Sequence, residues 1–321
     1  MLAAVAMADV PHIAVVGAGA WGTALALHAG RTGARVSLWA RDVARAASAL
    51  RLSGAALPAG TLVAALPGEA DAVLLCVPMQ RLREVAARLP PGGPLVLCCK
   101  GLEAGTGLLP LEVVASLHPG RPAAVLSGPN FAGEVAAGLP AASVLAATDP
   151  ALRARLVALL ATPAFRLYGN DDVAGVQVGG AAKNVVAVAA GAVIGAGLGE
   201  NARAALVTRG LVEIGRLAQA LGGRADTVAG LSGLGDLLLT CTGPSSRNFR
   251  FGLALGEGAT PAEALDTAGA VVEGVATAGA LMRRAAGVEL PICAAVAALV
   301  AGERTLAETT AALLARARRD E

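Results

Sequence analysis

"VVGAGAWG", residues 15–22, sets glycines at 17, 19 and 22 in the pattern G-x-G-x-x-G. The run leading into it, "HIAVVG" (12–17), is apolar and β-branched and reads as a buried strand. The run leading out, "WGTALALHAGRTG" (21–33), has helical periodicity and a glycine stop at Gly33. In a strand–turn–helix context these glycines carry specific tasks. Gly17 permits the tight turn, Gly19 lets the backbone approach a pyrophosphate, and Gly22 lets helix and strand pack closely. The helix start adds unpaired N–H groups and a positive dipole end, which favour phosphate.

A second strand, "ARVSLWAR" (34–41), follows at the distance expected of a dinucleotide-binding unit. A carboxylate at its tip would bind the ribose 2′-hydroxyl of NAD, whereas an arginine favours the 2′-phosphate of NADP. Arg41 stands at the tip and Asp42 follows. NADP (as NADPH) is therefore the expected preference, with NAD also accepted. The opposing reading makes Asp42 the ribose ligand and Arg41 a solvated charge.

Further apolar runs continue the pattern at "DAVLLCVP" (71–78), "PLVLCCKG" (94–101), "PAAVLSGP" (122–129), "AASVLAAT" (141–148) and "FRLYGN" (165–170). Helical stretches lie between several of them, among them "MQRLREVAARL" (79–89) and the Asp-capped "DPALRARLVALLAT" (149–162). Continuous apolar strands linked by helices predict a parallel sheet covered on both faces. After about residue 172 helical periodicity takes over. The expected architecture is an α/β Rossmann-type N-terminal domain with a mostly parallel sheet, residues 1–177, plus an all-α C-terminal domain, residues 178–321.

Composition narrows the class. The chain has 321 residues, 55% of them hydrophobic but only 2% aromatic, so small and branched aliphatics must fill its core. A net charge of +2 argues against nucleic acid as a partner. The longest stretch free of Asp, Glu, Lys and Arg, Val10–Gly30, holds Pro11, His12 and the glycine cluster, and reads as strand, turn and helix. No membrane-spanning helix and no secretory signal are expected. Met7 is an alternative start to Met1. Five cysteines without C-x-x-C spacing point to free thiols in a reducing, cytoplasmic setting, with no zinc.

Only two lysines occur, Lys100 and Lys183, among 26 basic residues. Lysine can lose its proton when burial or a neighbouring cation lowers its pKa; arginine effectively cannot. Lys100 ends a sheet strand, at the carboxyl edge where ligands bind in such folds. Lys183 lies on a predicted helix behind Gly179 and Gly180, with Ala187, Gly191 and Gly195 following at four-residue steps. That small-residue face predicts close helix packing and a buried lysine at the domain junction. The histidines at 12, 28 and 118 lack a nearby carboxylate to orient them. Cys98 and Cys99 read as core packing. In "SSRN" (245–248), Ser246, Arg247 and Asn248 present a hydroxyl, a guanidinium and an amide suited to a phosphate group. The same residues also suit a helix N-cap with a surface arginine. Asp236, after a glycine-rich turn, could accept a bond from a substrate hydroxyl.

Together "GAGAWGTALA" (17–26), "CCKGLE" (98–103), "LSGPNFAGEVAAGLP" (126–140), "GVQVGGAAKNVVAVAAG" (175–191), "NARAALVTRGL" (201–211), "GLGDLLLTCT" (233–242), "SRNFRFG" (246–252) and "VVEG" (271–274) resemble the bacterial-type NAD(P)-dependent glycerol-3-phosphate dehydrogenases. The resemblance implies reversible reduction of dihydroxyacetone phosphate to sn-glycerol 3-phosphate, feeding glycerophospholipid synthesis, and a homodimer. It implies Lys183 as the acid/base, with Lys100, Gly128, Asn130, Asp236, Ser246, Arg247 and Asn248 around the substrate. It also implies Gly17, Gly19, Ala20, Trp21, Gly22, Arg41, Lys100, Ala132, Arg247, Val271 and Glu273 along the dinucleotide. Two departures fall at the pocket rim: the short "RLSGAALPAG" (51–60), and Met79 where serine is common. The alternatives are a β-hydroxyacid or 6-phosphogluconate-type dehydrogenase and a non-catalytic dinucleotide sensor. The first typically separates its Lys and Asn by four residues, whereas Asn184 here directly follows Lys183.

Overall fold

A computed structural model describes residues 10–44, 46, 57–58, 60–268 and 271–315. Both candidate start residues, and most of the 51–60 segment, lie outside them. Eight strands form one sheet in the order β3-β2-β1-β4-β5-β6-β7-β8. They are β1 (His12–Val16), β2 (Arg35–Trp39), β3 (Leu62–Val63), β4 (Ala72–Leu75), β5 (Leu95–Leu97), β6 (Ala123–Ser127), β7 (Ala141–Ala146) and β8 (Phe165–Asn170). The central strands β1, β4 and β5 are apolar because both faces are covered, whereas the edge strand β8 carries exposed Arg166 and Tyr168. Ile13 and Val15 join one hydrophobic cluster, while Ala14 and Val16, pointing the other way, join a second.

All neighbouring pairs are parallel except β6–β7, which is antiparallel. Sequence led to a parallel expectation there. The connection carries only a six-residue helix, Ala132–Ala137, ended by left-handed Gly138, and it returns alongside β6 without crossing over. As a result Ser143, near the start of β7, lies beside the carboxyl end of β6, where its Oγ accepts from Asn130 Nδ2 at 2.5 Å.

Helices on the sheet are α1 (Ala20–Arg31), α2 (Leu82–Ala86), α3 (Pro110–Leu117), α4 (Ala132–Ala137) and α5 (Pro150–Leu160). The second half is helical among its described residues: α6 (Val173–Gly195), α7 (Gly199–Ala220), α8 (Ala225–Val228), α9 (Asp236–Cys241), α10 (Arg247–Gly256), α11 (Pro261–Ala268), α12 (Glu273–Arg284), α13 (Pro291–Val300) and α14 (Leu306–Leu314). Helix α6 begins where Asp172 caps it by accepting from Gly175 N at 2.8 Å, and it crosses the expected 177/178 division. Contrary to the sequence expectation, α6 is long and apolar enough to cross a membrane, and 89% of its most apolar window is buried inside the protein. The charge-free criterion missed it because Lys183 interrupts the run.

Glycine within a helix costs about 1 kcal/mol relative to alanine. In α6 that cost is offset by close packing. A Cβ on Gly191 or Gly195 would overlap α10 backbone at Phe249 and Leu253, and one on Gly252 or Gly256 would overlap α6 backbone. Two helices thus meet backbone to backbone through small residues, as the sequence predicted from one side only. With few aromatics, this close approach makes the core dense.

Candidate active site

The carboxyl ends of β1, β4, β5 and β6 open on one edge of the sheet. After β1, Gly17 takes a left-handed φ of 113°, and a Cβ on Gly22 would strike the Gly17 carbonyl. Both glycines therefore answer to the protein's own packing. Gly19 does not: a Cβ there would meet no protein atom. Glycine at that position fits a cradle for a closely approaching phosphate. Helix α1, starting at Ala20 and Trp21, has no side-chain cap at Gly19 and no acid in its first turn, so its N–H groups and dipole are left for an anion. The residues present fit a dinucleotide. Arg41 and Asp42 are exposed just beyond β2.

Lys100 follows β5. Its Nζ donates to the Gly128 carbonyl at 3.1 Å and to Asp236 Oδ2 at 2.5 Å. Lys183, buried in mid-α6, donates to the other oxygen of that carboxylate, Oδ1, and to Thr240 Oγ1 at 2.9 Å. Thr240 in turn donates to the Asp236 carbonyl at 2.5 Å. A π-helical turn, Leu231–Gly235, precedes Asp236 and makes it the first residue of α9. Such turns often mark functional sites. A Cβ on Gly180 would lie 2.8 Å from Ser127 Oγ, and one on Gly179 2.7 Å from the Ser232 carbonyl. The two glycines ahead of Lys183 therefore let α6 approach both the sheet edge and the π turn.

Two ammonium groups share one carboxylate, so the cluster carries a surplus positive charge. Burying it is costly. Burial lowers the Lys183 pKa, Asp236 opposes that, and Lys100 adds to it; the result is about 8, down from 10.5. Lys183 thus changes charge near neutrality. Two of its three ammonium hydrogens have protein acceptors, leaving one to give.

Asn248 and Asn184 extend the cluster. Asn248 Nδ2 donates to Asn184 Oδ1 at 2.9 Å, and Gly274 N donates to Asn248 Oδ1 at 2.9 Å. This amide chain ties α10 and α12 to the residue beside Lys183. Ser246 caps α10, accepting from Phe249 N at 3.2 Å, and Arg247 is exposed. The N-cap reading of "SSRN" thus describes Ser246, and its contacts include neither lysine. Asn130 is at the β6 edge, held by Ser143, with its Oδ1 buried and without a partner. Ala132 starts α4, and Val271 is half exposed. Glu273 Oε1 accepts from Met79 N at 3.1 Å, and burial raises the Glu273 pKa. The Met79 side chain, 1% exposed, packs inward, so this departure from the family pattern falls in the core.

Sequence reading missed Thr240 and the sharing of Asp236 between both lysines. Thr240 was accessible, since it lies four residues beyond Asp236 on one helix face. The pairing with Lys183 joins residues 53 positions apart and has no local signature. The histidine rings serve packing: His28 Nε2 meets the Leu160 carbonyl at 2.6 Å and His118 Nε2 the Ala86 carbonyl at 2.8 Å. Cys99 is buried in the hydrophobic cluster on the sheet face opposite Cys98.

A glycine cradle on a Rossmann-type sheet, beside a buried lysine of lowered pKa from a helical domain, defines a dinucleotide-dependent oxidoreductase. Comparison makes the assignment particular. Residues 12–153 match the family described as NAD-dependent glycerol-3-phosphate dehydrogenase N-terminus, and residues 172–311 match its C-terminus. The chain belongs to the NAD-dependent glycerol-3-phosphate dehydrogenase family. It is 57% identical to glycerol-3-phosphate dehydrogenase [NAD(P)+] of Acidiphilium cryptum, over 97% of this chain and 98% of that protein. Identity to the protein of the same name from Gluconobacter oxydans is 56%, over 90% and 92%. Among solved structures, glycerol-3-phosphate dehydrogenase of Coxiella burnetii superposes with a TM-score of 0.87 at 38% identity, covering 96% of this chain and 99% of that one.

Proposed function

We propose that the protein interconverts dihydroxyacetone phosphate and sn-glycerol 3-phosphate, with Lys183 as proton donor and acceptor. The observation that carries this is the buried Lys183–Asp236 pair, joined by the partly exposed Lys100 on the carboxyl edge of the sheet. Gly17, Gly19, Ala20, Trp21 and Gly22 would hold the dinucleotide pyrophosphate, with Arg41, Ala132, Val271 and Glu273 along its length. When bound, the nicotinamide supplies or accepts a hydride at the substrate carbon.

In reduction, Lys183 as ammonium donates its proton to the carbonyl oxygen as that oxygen gains charge. The surplus positive charge of the lysine pair stabilises the developing alkoxide. In oxidation, neutral Lys183 removes the hydroxyl proton. Asp236 and Thr240 hold the amine in place in both directions. Arg247, with Asn248, Ser246, Gly128 and Asn130 around the rest of the substrate, would bind the phosphate. A pKa near 8 lets Lys183 serve both directions near neutral pH.

The same reading assigns NADPH as the preferred cofactor on the strength of Arg41. It also assigns the reaction to the cytoplasm, supplying backbones for glycerophospholipids, in a protein of two units that α6 joins across residues 177/178. The test is NAD(P)H oxidation by the purified protein with dihydroxyacetone phosphate, against 3-hydroxyisobutyrate and 6-phosphogluconate in the oxidising direction. Turnover with the first alone is expected. Turnover with either of the others, or with none, would overturn the assignment and favour the hydroxyacid or the sensor reading respectively.

A further inference from the structure

Two thiols lie side by side beneath the glycine loop. Leu75 and Leu97 are partners across the parallel pair β4–β5, so the next residues, Cys76 and Cys98, are neighbours on one sheet face. Cys98 N donates to the Leu75 carbonyl at 3.0 Å, which keeps the strands in step at that point. Adjacent strands run about 4.7–4.9 Å apart, inside the roughly 4.4–6.8 Å that a disulfide spans between Cα atoms. Both cysteines pack in the hydrophobic cluster under α1. Cys76 is also the floor of the dinucleotide cradle. Its Cβ would be 3.1 Å from a Cβ on Gly22, and its carbonyl 3.0 Å from one on Gly17.

The two thiols differ in access. Cys98 is 3% exposed, and Cys76 is partly exposed. Burial raises the Cys98 pKa well above the usual thiol value, so Cys98 waits as a thiol while Cys76 meets reagents first. Cys99, Cys241 and Cys293 are buried and serve as internal controls.

We propose that Cys76 and Cys98 form a peroxide-sensitive thiol pair that closes to a cross-strand disulfide and weakens dinucleotide binding. This rests on the dinucleotide reading of the Gly17–Gly22 loop. Hydrogen peroxide transfers one oxygen to the Cys76 sulfur, giving a sulfenic acid and a first water. The Cys98 sulfur then attacks the Cys76 sulfur. The S–S bond forms, the S–O bond breaks, and hydroxide leaves with the Cys98 proton as a second water. Two thiols are oxidised and one peroxide is reduced. Closing the S–S bond fixes the Cys76 side chain in a new rotamer directly under the loop, where the space beside Gly17 and Gly22 is too small for even a Cβ. A dinucleotide over the loop should in turn shield Cys76.

The experiment treats the full-length protein with hydrogen peroxide, with and without NADH. It reads non-reduced peptide maps, NADH binding by fluorescence, and reversal by dithiothreitol. A Cys76–Cys98 linkage is expected, slowed by NADH, with NADH binding at least about tenfold weaker and restored by reduction. Cys76→Ala and Cys98→Ala, checked for native thermal melting, should each lose the reversible effect. Absence of the linkage, or a linkage that leaves NADH affinity unchanged, would overturn the proposal. So would a reversible loss that persists in both variants. If the reduced protein bound no NADH, the dinucleotide reading would fail, and the peptide map would still decide the linkage.

Discussion

Lys183 and Asp236 form a buried ion pair in which the lysine side chain is 8% exposed and the carboxylate 1%. The carboxylate belongs equally to Lys100, which reaches it from the sheet edge. One anion therefore fastens the helical half to the dinucleotide half and sets the charge state of the reactive amine.

Asp236→Asn removes that anion while keeping its shape. Stability is expected to fall by about 3–5 kcal/mol while both lysines stay charged, as for a broken buried pair. The deficit should shrink as pH rises. Losing the anion lowers the Lys183 pKa further. Between the folded and unfolded values the unfolded chain then binds more protons, so stability rises with pH. Thermal melting of variant and wild type at about pH 6 and about pH 9 checks this, with the larger gap at the lower pH.

Gly252→Ala places a Cβ against the Val188 carbonyl in the contact between α6 and α10. Overpacking of this kind costs about 1–3 kcal/mol. Urea unfolding should show a lower midpoint with an unchanged slope. An unchanged midpoint would mean that the two helices can separate without loss.

Arg41→Ala tests cofactor choice. If Arg41 binds the 2′-phosphate, losing its charge-assisted hydrogen bonds costs about 1.5–3 kcal/mol, roughly ten- to a hundredfold in NADPH affinity. NADH affinity should stay nearly constant. An unchanged NADPH affinity would assign Arg41 to the solvent and the ribose to Asp42.

The central strands were legible because each is a continuous apolar run, and the fingerprint loop because glycine spacing reports backbone constraints directly; the edge strand β3, two residues long, carries no such run and was not. Lys183 and Lys100 stood out for a compositional reason: the chain uses arginine elsewhere. The antiparallel turn of β7 was not legible, since a strand buried on both faces reads alike in either direction. Nor was the double use of Asp236, which depends on residues 53 and 136 positions away. Gly252 and Gly256 escaped notice because their partners, Val188 and Ala192, lie on a distant helix. Ser246 shows the limit of local reading, since a cap and a phosphate ligand use the same residue types.

The most direct measurement is the pH dependence of kcat/KM for glycerol 3-phosphate oxidation in wild type and Lys183→Arg. Wild-type activity should climb with pH and level off above an inflection near 8, where the amine becomes neutral. In the variant turnover should drop by about 10²–10⁴-fold, and that inflection should vanish, because arginine keeps its proton. A variant that retains near-normal turnover with the same inflection would contradict the account.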